Sequence, residues 1–153
     1  WAIQKATELG VGAVTPLYSE RVDFSIPPDR IEKRVAHWRQ IAISACEQCG
    51  RVSIPAVSSP QPLEQWVQSV AAEQKWVLHC DDHGATRSGA SKEAPADAAL
   101  LIGPEGGLTD QEIARACDNS FGVLRLGPRV LRTETAPVVA LSALSVCWGE
   151  MPG

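Results

Sequence analysis

The chain has 153 residues, of which 44% are hydrophobic and 21% charged, and its formal net charge is −4. This length is enough for one domain with its own core, and no stretch approaches the roughly 20 apolar residues of a membrane span. The acidic balance argues against a generally basic nucleic-acid-binding surface, because phosphate contacts need Lys and Arg, so any RNA contact must be local.

The spacing of apolar residues predicts helices and strands that alternate along the chain. Residues 1–9 are predicted to form a helix that ends at Gly10, with a strand near 11–17 and then a long helix that ends at Gly50. Later strands are predicted at 52–57, 76–80, 98–102 and 121–126, later helices at 63–72 and 135–148, and a surface loop at 81–97. The alternation predicts one α/β domain over 1–153, with a mostly parallel sheet and helices on both faces.

Another helix start is marked by the run Thr109-Asp110-Gln111-Glu112, which matches a capping box. In this motif the Thr109 side chain accepts a hydrogen bond from the Glu112 N–H, and the Glu112 carboxylate accepts one from the Thr109 N–H. Leu108 and Ile113 are spaced to form the accompanying hydrophobic staple. The helix is therefore expected to begin directly after the glycines that precede it.

Two glycine-bearing segments, 101–108 and 124–136, each follow a predicted strand and lead into a predicted helix. Glycine lets the backbone approach a ligand without a Cβ in the way, so both segments are candidate ligand-binding turns. Neither contains the Gly-x-x-x-x-Gly-Lys-Ser/Thr or Gly-x-Gly-x-x-Gly pattern of a nucleotide phosphate loop. The charged residues beside them are Glu105, Arg129, Arg132 and Glu134.

The five cysteines occur without a secretory signal pattern, which is typical of a protein in the reducing cytoplasm, and we expect that location. Cys46 and Cys49, with His79 and His83 as further ligands, permit a metal or redox interpretation. However, no second Cys-x-x-Cys is present, and the pair lies at i,i+3 on a predicted helix, where small apolar residues are expected. The sequence therefore favours ordinary thiols and no metal.

Four sequence blocks together resemble the bacterial ribosomal RNA uridine N3-methyltransferases, the RsmE-type branch of the SPOUT superfamily. They are the two glycine segments, Gln4-Lys5-Ala6-Thr7-Glu8-Leu9-Gly10-Val11 and Glu47-Gln48-Cys49-Gly50-Arg51. All four occur in the family's order, and the resemblance covers the whole chain. Because the chain begins without Met on a predicted helix, we expect the family's N-terminal RNA-binding barrel to be absent from it.

The resemblance implies an enzyme that uses S-adenosylmethionine to methylate N3 of a uridine in small-subunit (16S) ribosomal RNA. It further implies a homodimer and a deep trefoil knot in the C-terminal part, a topology that general folding rules alone would reject. The alternatives are another SPOUT RNA methyltransferase, acting on a ribose 2′-oxygen or a guanosine, and a knotted RNA-binding module without catalysis.

The resemblance also implies roles for particular residues. The implied cofactor-binding residues are Leu78, His79, Ile102, Gly103, Gly106, Gly107, Leu126, Gly127, Leu131 and Ala136. Arg132 is expected to hold the uracil, and Glu134 or Glu105 to accept the N3 proton, unless either carboxylate pairs with Arg129 or Arg132 instead. Arg129 and Arg51 are expected to contact RNA, although Arg51 is equally suited to the cofactor carboxylate or to a salt bridge.

Overall fold

The computed structural model describes residues 1–22, 26–79 and 93–149. Within these ranges the helices are α1 (Ala2–Glu8), α2 (Pro28–Cys49), α3 (Leu63–Ser69), α4 (Asp110–Asp118) and α5 (Thr135–Cys147). The strands are β1 (Ala13–Val14), β2 (Leu17–Tyr18), β3 (Ala56–Val57), β4 (Gln61–Pro62), β5 (Gln74–Leu78), β6 (Ala98–Leu101) and β7 (Gly122–Leu124). No helix of this described part is long and apolar enough to cross a bilayer.

Every strand pairing in the described ranges is parallel. Strand β1 pairs with β3 and β2 with β4, while β5 lies between β6 and β7 in a three-stranded sheet. In that sheet Trp76 is opposite Leu100 on one side and Gly122 on the other. The predicted α/β class with mostly parallel strands is confirmed, although the described strands form three small sheets.

Helices cover both faces of the three-stranded sheet. Because side chains alternate along a strand, Val77 lies on one face while Trp76 and Leu78 lie on the other. Val77 packs in a cluster with residues of α3 and α4, whereas Trp76 packs with Ala140 and Leu144 of α5. The predicted placement of helices on both faces is therefore correct for this sheet.

The N-terminal elements form a separate cluster around α2. Val35 and Ala42 of α2 pack against Val57 of β3, with Ile3 of α1 beside them. The helix ends as predicted at Gly50, whose φ of 76° is the left-handed conformation that glycine adopts most readily. This cluster fixes the orientation of α1, and with it the start of β1.

The strands of this N-terminal part are shorter than predicted. The predicted strand at 11–17 is divided into β1 and β2, separated by Thr15 and Pro16. Proline has no N–H for a sheet ladder, so the run is interrupted there. The prediction at 52–57 reduces to β3, and β4 was not predicted because its Gln61–Pro62 sequence has no strand signal. Most of the predicted loop, 81–92, lies outside the described residues.

The capping box at the start of α4 is confirmed. The Glu112 N–H donates to Thr109 Oγ1 at 3.2 Å, and the Thr109 N–H donates to Glu112 Oε2 at 2.8 Å. Leu108 and Ile113, the predicted staple, are both buried in the core cluster below the three-stranded sheet. The start of α4 is thus fixed immediately after the first glycine segment.

Candidate functional site

A cavity of about 300 Å³ lies where β5, β6 and β7 end. Parallel α/β sheets commonly bind ligands beyond the carboxyl ends of their strands, because the connecting loops converge there. Leu78 follows Val77 in β5, Ile102 follows β6, and Leu124 closes β7, so each strand contributes to the wall. The two glycine segments supply most of the remaining wall.

The first glycine segment is a tight turn between β6 and α4. The Gly107 N–H donates to the Pro104 carbonyl at 2.8 Å, which closes the turn, and Gly107 has a left-handed φ of 70°. At Gly103, an added Cβ would lie 3.0 Å from both Leu108 Cγ and the Leu108 N. Glycine is therefore required at these two positions by different causes, backbone conformation at Gly107 and close packing at Gly103.

The second glycine segment connects β7 to α5. Gly127 has a left-handed φ of 93°, and an added Cβ there would meet no described atom within 4 Å. At the end of the segment the Thr135 and Ala136 N–H groups donate to the Arg132 carbonyl at 2.9 Å, which starts α5. Leu131, Thr133 and Ala136 line the cavity, so this segment runs along its wall.

All ten residues predicted to bind a cofactor line this cavity, together with Glu105 and Arg129. They come from three separate strand ends, which the fold brings to one place. Their binding role stays a prediction, but the shared location is what such a role requires.

Two of the predicted catalytic residues are outside the set of described residues that line the cavity. The Arg132 side chain is 85% exposed, and its Nη1 lies 4.0 Å from Glu134 Oε1, while the Glu134 side chain is 44% exposed. Their neighbours Leu131 and Thr133 face the cavity. Arg132 and Glu134 thus form a loose, exposed ion pair beside the cavity, where a second molecule can reach them.

Arg51 has a different location, at the end of α2. Its Nη1 donates to the Thr7 carbonyl at 2.7 Å and to the Val11 carbonyl at 2.9 Å. These contacts connect the end of α2 to the last turn of α1 and to the segment that follows it. The Arg51 guanidinium therefore stabilises the packing of α1 and α2, and an RNA contact by this residue stays a prediction.

Arg21 is a cavity residue that the sequence analysis missed. It follows β2, yet its Nη1 donates to the Gly106 carbonyl at 2.9 Å and lies 3.5 Å from the Leu108 carbonyl. Arg21 and Gly106 are 85 positions apart, so no local pattern could have indicated the contact.

The cysteines of α2 do not converge with His79. Cys46 is buried with its Sγ 3.6 Å from the Ser53 carbonyl, Cys49 is exposed, and His79 lies at the cavity. His83 lies outside the described residues. Across the described part of the chain, no group of three or more His, Cys, Asp or Glu is arranged to hold a metal ion.

A second space of about 880 Å³ lies beside the first, between the β1 to β2 segment and β6. Its walls are mainly apolar, with Leu63 and Leu100 among them, and it shares Ile102 and Gly103 with the smaller cavity. Both glycine turns and the charged residues Arg21, Glu105 and Arg129 line the smaller cavity. The smaller cavity is therefore the better candidate for a ligand-binding site, although its volume is lower.

Comparison with known proteins identifies the family of this chain. A family model described as an RNA methyltransferase domain matches residues 1–145. The chain belongs to this RNA methyltransferase domain family. Among its relatives, the ribosomal RNA small subunit methyltransferase E of Buchnera aphidicola is 35% identical over 99% of this chain and 61% of that protein. The protein of the same name from Bacillus subtilis is 36% identical over 95% of this chain and 59% of its own length.

Solved structures also superimpose on this domain. A methyltransferase from Legionella pneumophila, crystallised with bound SAM, has a TM-score of 0.85 and 42% identity over 95% of this chain and 59% of that chain. The ribosomal RNA small subunit methyltransferase E of Neisseria gonorrhoeae, also bound to S-adenosyl methionine, has a TM-score of 0.85 and 36% identity over 96% of this chain and 60% of that chain. The domain therefore spans about three fifths of the length of these relatives.

Proposed function

We propose that residues 1–153 form an S-adenosylmethionine-dependent methyltransferase domain that acts on N3 of a uridine in small-subunit ribosomal RNA. The observation that carries the proposal is the cavity at the three strand ends, with both glycine turns in its wall. The relatives named as small-subunit ribosomal RNA methyltransferases, and the similar structures bound to the cofactor, support it. An enzyme with this substrate would act in the cytoplasm.

The residues of the cavity fit S-adenosylmethionine. A volume of about 300 Å³ is at the lower end of small-molecule sites, and Gly127 leaves its side-chain position open. Backbone groups of Ile102, Gly103, Leu126 and Leu131 would bind the adenine edge. Gly107, Gly127 and Ala136 would leave room for the ribose and methionine parts, while Leu78, His79 and Gly106 complete the wall.

The trefoil knot is part of the same proposal. Strand β5 lies between β6 and β7, and the loops that follow all three strands meet at one cavity. A knot would hold these loops together without help from the ligand, which suits a site whose lining residues come mostly from the loops after the strands.

When bound, S-adenosylmethionine supplies an electrophilic methyl carbon on a positively charged sulfur. The protein must then align the uridine with that carbon and remove the N3 proton. Glu105, at the cavity, and Glu134, beside it, are the candidate proton acceptors. The exposed Arg132 guanidinium would hold the uracil and stabilise negative charge on O2 or O4 with its planar set of donors.

Arg129 at the cavity would contact RNA phosphate, as would Arg51 if it exchanged its backbone contacts. With a net charge of −4, these local contacts must be supplemented by others. Product analysis distinguishes the related alternatives: N3-methyluridine supports the proposal, whereas a 2′-O-methylated or guanosine product indicates another SPOUT activity. Absence of any methyl transfer would indicate a binding module.

Calorimetry with S-adenosylmethionine tests the cofactor assignment directly. We expect saturable one-site binding, and no binding of ATP at the same concentration, because the turns lack the lysine of a phosphate loop. S-adenosylhomocysteine is the matched control, since it differs only by the methyl group and the sulfur charge. Tight ATP binding would contradict the assignment. So would a failure to bind both S-adenosylmethionine and S-adenosylhomocysteine.

Light scattering tests the proposed homodimer. We expect twice the chain mass at micromolar concentration, because Val139 and Val146 of α5 are exposed apolar side chains that a second copy would cover. Val139→Glu and Val146→Glu should shift the mass toward that of one chain, whereas Val52→Glu, at an apolar residue outside α5, should not. A monomer that binds the cofactor at full affinity would refute the dimer.

A further inference from the structure

The turn that follows β2 is attached to the first glycine turn and to α4 by two separate links. The Val22 N–H donates to the Ser19 carbonyl at 3.3 Å, which closes this turn, and the two residues between them make the links. The first link runs from the Glu20 backbone, and the second from the Arg21 side chain. We call residues 19–22 the β2 turn.

Glu112 makes the first link. Its side chain is buried, with only 4% exposed, and it serves two backbone donors at once. Oε2 accepts from the Thr109 N–H at 2.8 Å within the capping box, and Oε1 accepts from the Glu20 N–H at 2.9 Å. The carboxylate that caps α4 therefore also fixes where the β2 turn begins.

Arg21 makes the second link, directly on the first glycine turn. Its Nη1 donates to the Gly106 carbonyl at 2.9 Å, and its own Cβ would lie 3.2 Å from a Cβ added at Gly106. The guanidinium is thus held beside two consecutive glycines, which have more conformational freedom to lose than any other residue pair. A donor on the Gly106 carbonyl removes part of that freedom before any ligand arrives.

We propose that Arg21 is a positioning residue that holds the Gly106–Gly107 turn in its ligand-binding conformation. This inference rests on the proposed binding of S-adenosylmethionine in the same cavity. A turn already held in place loses less entropy when it binds, so the affinity is higher than for a free turn. The charge-assisted bond to the Gly106 carbonyl is the contact that supplies this effect.

Arg21→Ala tests the proposal by comparing the change in cofactor affinity with the change in thermal stability. We expect the dissociation constant for S-adenosylmethionine to rise roughly tenfold, the effect of losing one charge-assisted hydrogen bond. The melting temperature should change by no more than about 2 °C, because Arg21 is an exposed residue and Glu112 still holds the β2 turn. Amide hydrogen exchange in 103–108 should accelerate in the ligand-free protein.

Two further variants separate positioning from other effects. Arg21→Lys should recover part of the affinity, because one ammonium group can still donate to the Gly106 carbonyl. Arg115→Ala is the matched control: it removes an exposed arginine of α4 that pairs with Glu64 at 3.0 Å, and both affinity and exchange in 103–108 should stay unchanged.

The outcomes are distinguishable from failure of the proposed function. If the unaltered protein does not bind S-adenosylmethionine, the proposed function fails, and exchange in 103–108 still reports whether Arg21 holds the turn. If the unaltered protein binds and Arg21→Ala binds equally well, the positioning role is refuted. An equal loss of affinity in Arg21→Ala and Arg115→Ala would also refute it, since the effect would then be one of general charge.

Discussion

Gly127→Val is expected to abolish binding of S-adenosylmethionine, at least a hundredfold loss of affinity by calorimetry. Gly127 has a φ of 93°, which a β-branched residue adopts only with strain of about 1–3 kcal/mol. Its Cβ position is also open, so the added side chain would occupy space at the cavity wall. Both effects act on the second glycine turn, and relief of the strain would move that turn away from its present course.

Gly50→Val is the matched control for this variant. Gly50 also has a left-handed φ, 76°, and an open Cβ position, but it ends α2 and does not belong to the set of residues that line the cavity. The two variants should therefore lose similar thermal stability, while only Gly127→Val loses the cofactor. Equal binding by both variants would show that the second glycine turn does not form the cofactor site.

Arg132→Ala is expected to lower methyl transfer to small-subunit ribosomal RNA by roughly 10²-fold or more, the cost of losing one transition-state donor. Affinity for S-adenosylmethionine should stay within a few-fold, because the exposed Arg132 side chain does not line the cavity. The measurement is single-turnover methyl transfer beside calorimetry of the same preparation. A loss of methyl-transfer rate without a matching loss of cofactor affinity indicates a residue that acts on the RNA substrate.

Companion variants identify what Arg132 contributes. Arg132→Lys should restore little activity, because an ammonium group cannot reproduce the planar set of guanidinium donors. Glu134→Gln removes the carboxylate 4.0 Å away but keeps the size of the side chain. If Glu134 accepts the N3 proton, Glu134→Gln should lower the rate at neutral pH, and the remaining rate should rise with pH, because it then depends on uridine that has already lost its N3 proton to solvent. Normal turnover in Arg132→Ala would instead assign the uracil contact to Arg129 or Arg51.

Local signals in the sequence predicted a large part of the fold. The capping box at Thr109 and Glu112 formed as expected, and Gly50 ended α2, because both depend on groups within one helical turn. The residues predicted for the cofactor site were also found at one cavity. Those predictions followed from motifs whose order along the chain is typical of the family.

Other features depended on contacts between distant parts of the chain. Strand lengths changed because pairing partners and Pro16 decide where a ladder continues, and β4 has no periodic signal of its own. Arg51 and Arg132 are both arginines beside a helix end, yet one donates to two carbonyls and the other is 85% exposed. Sequence pattern alone did not indicate which of the two guanidinium groups would be held by backbone carbonyls.

Local sequence was enough to predict the end of α2, the start of α4 and the positions of the two glycine turns, since each is set by the conformational preferences of neighbouring residues. The helix predicted at 63–72, in contrast, ends at Ser69. Three contacts depend on the folded chain as a whole: Arg21 donates to Gly106, Glu112 accepts from the Glu20 N–H, and Arg51 connects α2 to α1. These contacts join residues 85, 92 and 44 positions apart. Tertiary packing brings these residues together, and no local preference specifies such contacts.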